Sequence, residues 1–213
     1  MYRPSHFRED DRELLFDFIE ARGFGLFVSS GPDGPVADPL PFLLDRAAGE
    51  KGVLRAHFAR ANPHVGLLRD GACALVVFSG SDAYVSPGFY PSKRETGRVV
   101  PTWNYEIVQA RGRARLVDDP RWLEELVAAL TARHEGGRAD PWRIADAPRD
   151  FLDAQMRAIV GVEIDIETLE GKSKMSQNRN AADRAGVSRG WRADGQDALA
   201  ARVEAGGFGK QAR

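Results

Sequence analysis

Residues 84–105, YVSPGFYPSKRETGRVVPTWNY, gather aromatic rings, cations and hydroxyls into one short span. The span holds three of the chain's four tyrosines (Tyr84, Tyr90 and Tyr105) and one of its four tryptophans, Trp103. Pro87, Pro91 and Pro101 interrupt it, and none of its apolar runs is long enough to be core. An aromatic ring with a polar tip can stack on a flat ligand while keeping a hydrogen bond. Lys93, Arg94 and Arg98, beside Ser92, Thr96 and Thr102, add the cationic and hydroxyl donors that an anion needs. The combination suits a planar, anionic ligand.

Two further clusters carry similar chemistry. Arg60 and Asn62 stand at the start of a short helix signalled by Asn62-Pro63. An arginine fork beside free backbone N–H groups makes a phosphate site; the alternative is a capped helix with a solvated arginine. The segment GKSKMSQNRNAADR (171–184) brings Lys172, Lys174, Gln177 and Asn178 directly after a strand, without an apolar pattern. It is either a binding loop or a plain polar one. The four histidines, His6, His57, His64 and His134, lack metal-ligand spacing, and no GxSxG is present. The single cysteine, Cys73, lies in ACALVVF and reads as a small buried hydrophobe.

The elements that must position these residues follow from periodicity and breakers. Asp10 or Asp11 caps a helix with Leu14, Leu15, Phe18 and Ile19 on one side, and Gly23 stops it. FGLFVSS is a strand, GPDGP the reversing turn, and VADPLPFLLD, with Pro39 and Pro41, an edge or bulged strand. VLRAHF and ACALVVFSG are further strands. From Trp103 to Leu116, Val108, Ala110, Gly112, Ala114 and Leu116 alternate with Gln109, Arg111, Arg113 and Arg115. The arginine row is a solvated face or a binding surface. Asp119-Pro120 opens an amphipathic helix on Trp122, Leu123, Leu126, Val127 and Leu130; another has Phe151, Leu152, Met156 and Ile159 inward. VGVEIDIETLEG is the last strand. Beyond residue 188 the sequence predicts a loosely packed helix, then disorder after Gly206.

Reversing turns between six or seven short strands indicate a mainly β, antiparallel barrel with added helices. The two parts are a domain over 1–187 and a C-terminal helix and tail over 188–213. Dinucleotide and P-loop patterns are missing; GGFGK at 206–210 follows no strand. A formal net charge of −1 gives no electrostatic reason for coating nucleic acid, and only the arginine row 111–115 offers a patch. No apolar stretch reaches the ~18–20 residues of a membrane span, and the N-terminus lacks a signal-peptide core. A cytoplasmic location is expected.

With these clusters identified, the chain resembles the PaiB family, the FMN-binding negative transcriptional regulators. The resemblance covers roughly residues 1–187. It rests on MYRPSHF, LPFLLD, HFARANPH, YPSK with the following VPTWNY, ARHE, and GKSKMSQNRNAADRAGV. It implies an FMN-binding split β-barrel related to the pyridoxamine-phosphate-oxidase-like flavin proteins, assembled as a homodimer with each flavin at the interface. It places Arg60 and Asn62 near the phosphate, and Ser92 and Lys93 on the phosphate or ribityl chain. Thr102, Trp103, Asn104 and Tyr105 fall along the ring and interface, and Lys174, Gln177 and Asn178 close the site. The implied function is transcriptional repression; the alternative is a flavin-dependent oxidoreductase acting on a small molecule. The family's tryptophan between the GKxK lysines is Ser173 here, and its SW before YPSK is Gly88-Phe89. Both departures trim aromatic surface from the proposed flavin site.

Overall fold

The computed structural model describes residues 1–68 and 71–208. In chain order its strands and α-helices are β1 (Arg8–Glu9), α1 (Arg12–Arg22), β2 (Phe24–Gly31), β3 (Gly34–Pro41), β4 (Leu43–Asp45), β5 (Val53–Ala59) and α2 (His64–Leu67). There follow β6 (Cys73–Val85), α3 (Ser92–Thr96), β7 (Thr102–Val117), α4 (Pro120–Glu135), α5 (Arg149–Arg157), β8 (Ile159–Lys174), α6 (Ala181–Ala193) and α7 (Asp197–Ala205). The strands form one eight-stranded sheet in the order β3-β2-β6-β7-β8-β5-β4, with β1 added to β8. This open, antiparallel pairing path with added helices is the split-barrel architecture expected from the sequence.

Local chemistry explains most boundaries. Asp11 Oδ1 accepts from the backbone N–H groups of Glu13 and Leu14 and so caps α1, and Gly23, at φ +63°, ends it. Pro32 and Asp33 join β2 to β3, with Gly31 opposite Gly34. The proline-bearing β3 lies at the edge of the sheet, where missing N–H donors are tolerated. Asp119 accepts from the N–H groups of Arg121 and Trp122 at the start of α4.

The chain divides into two compact units, each with its own interior. One comprises Met1–Phe18, Ser79–Val108 and Glu170–Arg213; the other comprises Ile19–Phe78 and Gln109–Leu169. The second unit buries Phe27, Phe42, Phe58, Phe78, Leu54, Val162 and Ile164, with Phe27 edge-on to Phe58 at 5.4 Å. Gly112 and Gly161 make this packing possible. A Cβ on Gly112 would overlap the Asp165 carbonyl, and one on Gly161 would overlap the Trp122 ring. The first unit buries Val85, Tyr90, Met175, Val187, Trp191 and Val203 around α6 and α7.

Several expectations need correction. Cys73 is exposed because it opens β6 rather than lying inside it. Phe151 is 53% exposed; only Leu152 of the α5 set is buried, with Met156 partly covered. The helix after 188 is not loose. Residue 188 lies within α6, and Trp191, 1% exposed, is a core residue whose Nε1 donates to the Tyr84 carbonyl. The predicted unstructured end falls largely on 209–213, outside the described residues.

The last strand runs further than its apolar alternation suggests, through Lys174. The GKSK segment is therefore strand, and its lysines stand on β8.

Candidate functional site

The first unit brings together two of the clusters read from the sequence. At the end of β8, Lys174 Nζ donates to Thr102 Oγ1 and to the Trp103 carbonyl, each at 2.5 Å, at the start of β7. Lys172 lies 5.0 Å from the Tyr105 ring centroid and 5.7 Å from that of Tyr2; Lys174 lies 6.0 Å from Tyr105. Neither lysine has a carboxylate partner among the described residues. Burial is the first cause of a lowered Lys174 pKa, and repulsion from Lys172 and Arg179 lowers it further. Two ammonium groups facing an aromatic ring, with no counter-ion, form a place short of an anion.

Asn104 and Ser176 fix the wall beside these lysines. Asn104 Nδ2 donates to Ser176 Oγ at 2.9 Å, and the hydroxyl contacts Asn104 Oδ1 at 3.3 Å. Ser176 holds φ +64°, the only non-glycine residue with positive φ among those described. Left-handed backbone at a buried serine is costly and persists where neighbouring bonds dictate it. Gln177 shapes the same turn: Oε1 accepts from Met175 N, and Nε2 donates to the Ser173 and Gly206 carbonyls. Asn178 is exposed. Trp103, 54% exposed, stands edge-on to exposed Tyr84 at 6.1 Å.

The YPSK motif is tied to α6. Ser92 is held by Asp183, while Lys93, Arg94 and Arg98 point to solvent. Arg179 lies 4.7 Å from the Tyr90 ring centroid; burial raises the Tyr90 pKa and the Arg179 charge lowers it in part. Phe89, where the resembling family has tryptophan, packs on the Gly186 and Gly190 positions of α6. Its ring serves packing within this unit.

Arg60 and Asn62 belong to the second unit. Arg60 makes a two-pronged pair with Asp118, at 2.7 and 2.8 Å, and also donates to the Arg157 and Ile159 carbonyls. The hydrogen bond to Asp118 is the main cause of its raised pKa and of the lowered pKa of Asp118. Asn62 Oδ1 accepts from His64 N, which starts α2 one residue later than Asn62-Pro63 suggests. A cleft of about 490 Å³ beside Arg60 is floored by Leu123 and Met156 and rimmed by Arg149 and Arg157.

Sequence order alone did not reveal the participation of Ser176, Asp183 and Tyr2. The one available signal was Asp183, three residues after the helix cap Asn180, a capping spacing. Two arginines of the β7 row meet carboxylates. Arg113 pairs with Glu167, Arg115 with the buried Glu163, and Arg111 donates to Gln109.

Comparison with known proteins now bears on this geometry. Residues 1–168 match the family described as "Putative FMN-binding domain". The chain belongs to that FMN-binding family. It is 31% identical to the protease synthase and sporulation protein PAI 2 of Bacillus subtilis, over 86% of this chain and 85% of that protein. An uncharacterized Emericella nidulans protein is 35% identical over 93% of both chains. The fold is shared with an FAD and heme binding protein of Mycobacterium smegmatis, at TM-score 0.58 and 20% identity over 78% of this chain and 73% of that one. It is also shared with the flavocytochrome Anf3 of Azotobacter vinelandii, at TM-score 0.59 and 16% identity, over 81% and 72% of the two chains. FMN is the cofactor of the family to which this chain belongs.

Proposed function

We propose that this protein is an FMN-holding homodimer acting as a negative transcriptional regulator. The carrying observation is the pair Lys172 and Lys174, set against Tyr105 without a carboxylate partner. In this reading Lys174, with Thr102 and Asn104, holds a negative or electron-rich part of the ligand. Tyr105 and Trp103 offer ring faces, while Gln177 and Asn178 shape the closing turn. Ser92 and Lys93 bind the phosphate or ribityl chain. Arg60 and Asn62 serve the phosphate, which requires Arg60 to exchange Asp118 for it. Bound FMN supplies a reversible redox couple that a regulator can use as a sensor. Exposed apolar side chains support self-association: Trp103, Tyr84 and Val100 in one unit, Phe24 and Leu26 in the other.

Titration of the purified protein with FMN, followed by flavin fluorescence, tests the reading. Wild type is expected to bind at micromolar concentration, with Lys174→Ala weakening it about tenfold, the loss of one charge-assisted contact worth ~1.4 kcal/mol. Arg60→Ala tests the second cluster separately. Absence of FMN binding by the wild type overturns the flavin part. A monomer by light scattering overturns the dimer. Steady turnover of NADH or NADPH by the flavin protein would instead make it an oxidoreductase.

A further inference from the structure

The formal charge of −1 conceals a strong asymmetry. Residues 84–103 and 176–193 together carry seven cations, Lys93, Arg94, Arg98, Arg179, Arg184, Arg189 and Arg192, against two carboxylates, Glu95 and Asp183. That is a net of +5, which leaves −6 for the rest of the chain. Asp183 is buried and committed to Ser92 and Asn180, so it offsets little at the surface. Arg192 is paired with Asp197 and Glu204. Lys93, Arg94, Arg98, Arg184 and Arg189 have no carboxylate partner among the described residues.

Three of these cations, Arg94, Arg184 and Arg189, border α6. The Ser92–Asp183 hydrogen bonds fix α3 against the beginning of α6. A cleft of about 520 Å³ lies between them, lined by Arg94, Glu95 and Arg189 and by Phe89 where it packs on Gly186 and Gly190. A second cleft of about 430 Å³ flanks α6 beside Arg184, Arg189 and Arg192. Arg189 thus stands on a helix with a recess on either side. Ala181, Ala182 and Ala185, also exposed on α6, leave its first two turns open to close approach; Glu204 in the second cleft is already paired with Arg192, which leaves Glu95 as the carboxylate beside the free arginines.

From this geometry we infer that the α3–α6 face is a docking surface for the phosphate backbone of duplex DNA, contacted by Arg94, Arg184 and Arg189. This inference rests on the regulatory part of the reading above. Charge complementarity selects the occupant. Unpaired guanidinium forks match phosphate oxygens, and the exposed alanines of α6 let a duplex backbone come close to them. In the arginine row of β7, Arg113 and Arg115 are already met by carboxylates of β8.

The test is fluorescence anisotropy of a labelled duplex with the full-length protein across a salt series. Wild type is expected to bind with a linear fall of log K against log salt, and the triple variant Arg94→Ala, Arg184→Ala, Arg189→Ala to flatten the slope by about three. FMN affinity, read in parallel on Arg189→Ala, is expected to stay within about twofold, because Arg189 belongs to none of the anion-binding clusters. Should the triple variant not fold, the exposed Arg189→Glu alone is expected to weaken DNA binding at low salt about tenfold. An unchanged salt slope, or no duplex binding by wild type, overturns the inference even where FMN binds. Equal or tighter binding of polyglutamate or single-stranded RNA gives the face to another polyanion and overturns it too. Loss of FMN binding with an intact DNA slope instead overturns only the flavin reading.

Discussion

Ser92 and Asp183 are joined twice: Ser92 Oγ donates to Oδ2 at 2.8 Å, and Ser92 N donates to Oδ1 at 3.2 Å. The two residues are 91 apart in sequence, so this pair fastens the YPSK segment to α6. Hydrogen bonds to a charged group contribute about 1.5–3 kcal/mol. Ser92→Ala retains the backbone bond and is expected to lower stability by about 1–2 kcal/mol in urea unfolding. Asp183→Ala, which removes both bonds and also the acceptor of Asn180 Nδ2, is expected to cost more. Equal effects would show that the side-chain bond carries the whole connection.

A second buried chain of hydrogen bonds runs through His64. Its Nδ1 meets Asp38 Oδ2 at 2.6 Å, and its Nε2 meets Ser29 Oγ at 2.6 Å. The carboxylate can only accept, so Nδ1 donates to it, and Nε2 shares the second bond with the serine hydroxyl. Ser29 is buried, and the His64 ring packs on Phe27 at 5.0 Å and Phe58 at 5.3 Å. This Ser-His-Asp order fastens α2 to the sheet from inside the core. His64→Ala, which strands both partners, is expected to cost about 3 kcal/mol by chemical denaturation.

Acid sensitivity is expected to come from His57. Burial lowers its pKa below the ordinary 6.5, and its Nδ1 is buried without a hydrogen-bond partner. The unfolded chain therefore takes up this proton at higher pH than the folded one. Stability from this group is full above the unfolded value and is lost as pH falls through the folded one. His57→Phe is expected to flatten the acid limb of a pH–stability profile between about pH 6.5 and the folded value; an unaltered limb would refute this assignment.

The Lys174 ammonium is disfavoured in the folded protein by burial and by two like charges. Stability should rise with pH between its lowered folded pKa and the ordinary 10.5, where the unfolded chain retains the proton. A bound anion reverses the sign, favouring the charged lysine. Lys174 labelled for NMR is expected to titrate at higher pH with FMN than without it, and FMN affinity is expected to fall as pH rises through the free value.

The α6 glycines should separate backbone from side-chain crowding. A Cβ on Gly186 would overlap the Phe89 carbonyl, whereas one on Gly190 would overlap the Phe89 ring. Gly186→Ala and Gly190→Ala are each expected to destabilise by about 1–3 kcal/mol. Phe89→Ala should relieve the clash in Gly190→Ala but not in Gly186→Ala, giving a favourable coupling in the first thermal double-mutant cycle and none in the second.

Much of this was legible in the chain because it is local. Asp11, Gly23, the prolines of β3, the Asp119 cap and the β7 alternation each act within a few residues, so sequence determined those elements and their edges. The ligand chemistry was legible too: aromatic rings and unpaired cations announce themselves by type. The resemblance supplied the flavin and the split barrel, and the family match bears them out.

Tertiary structure decided what each charge meets. Arg60 faces Asp118, and Arg113 and Arg115 of β7 meet β8 carboxylates, while Arg94 and Arg189 face solvent, and side-chain type cannot distinguish these outcomes. β8 continues through GKSK because pairing with β1, Arg8 opposite Lys172, sustains a strand that its apolar pattern no longer marks. Phe89 turned toward α6 because two glycines, 97 and 101 residues later, left it room. Sequence sets the chemical character of each group; only long-range packing fixes its partner, because the free energy of a charge or ring depends on what lies within a few ångströms in space.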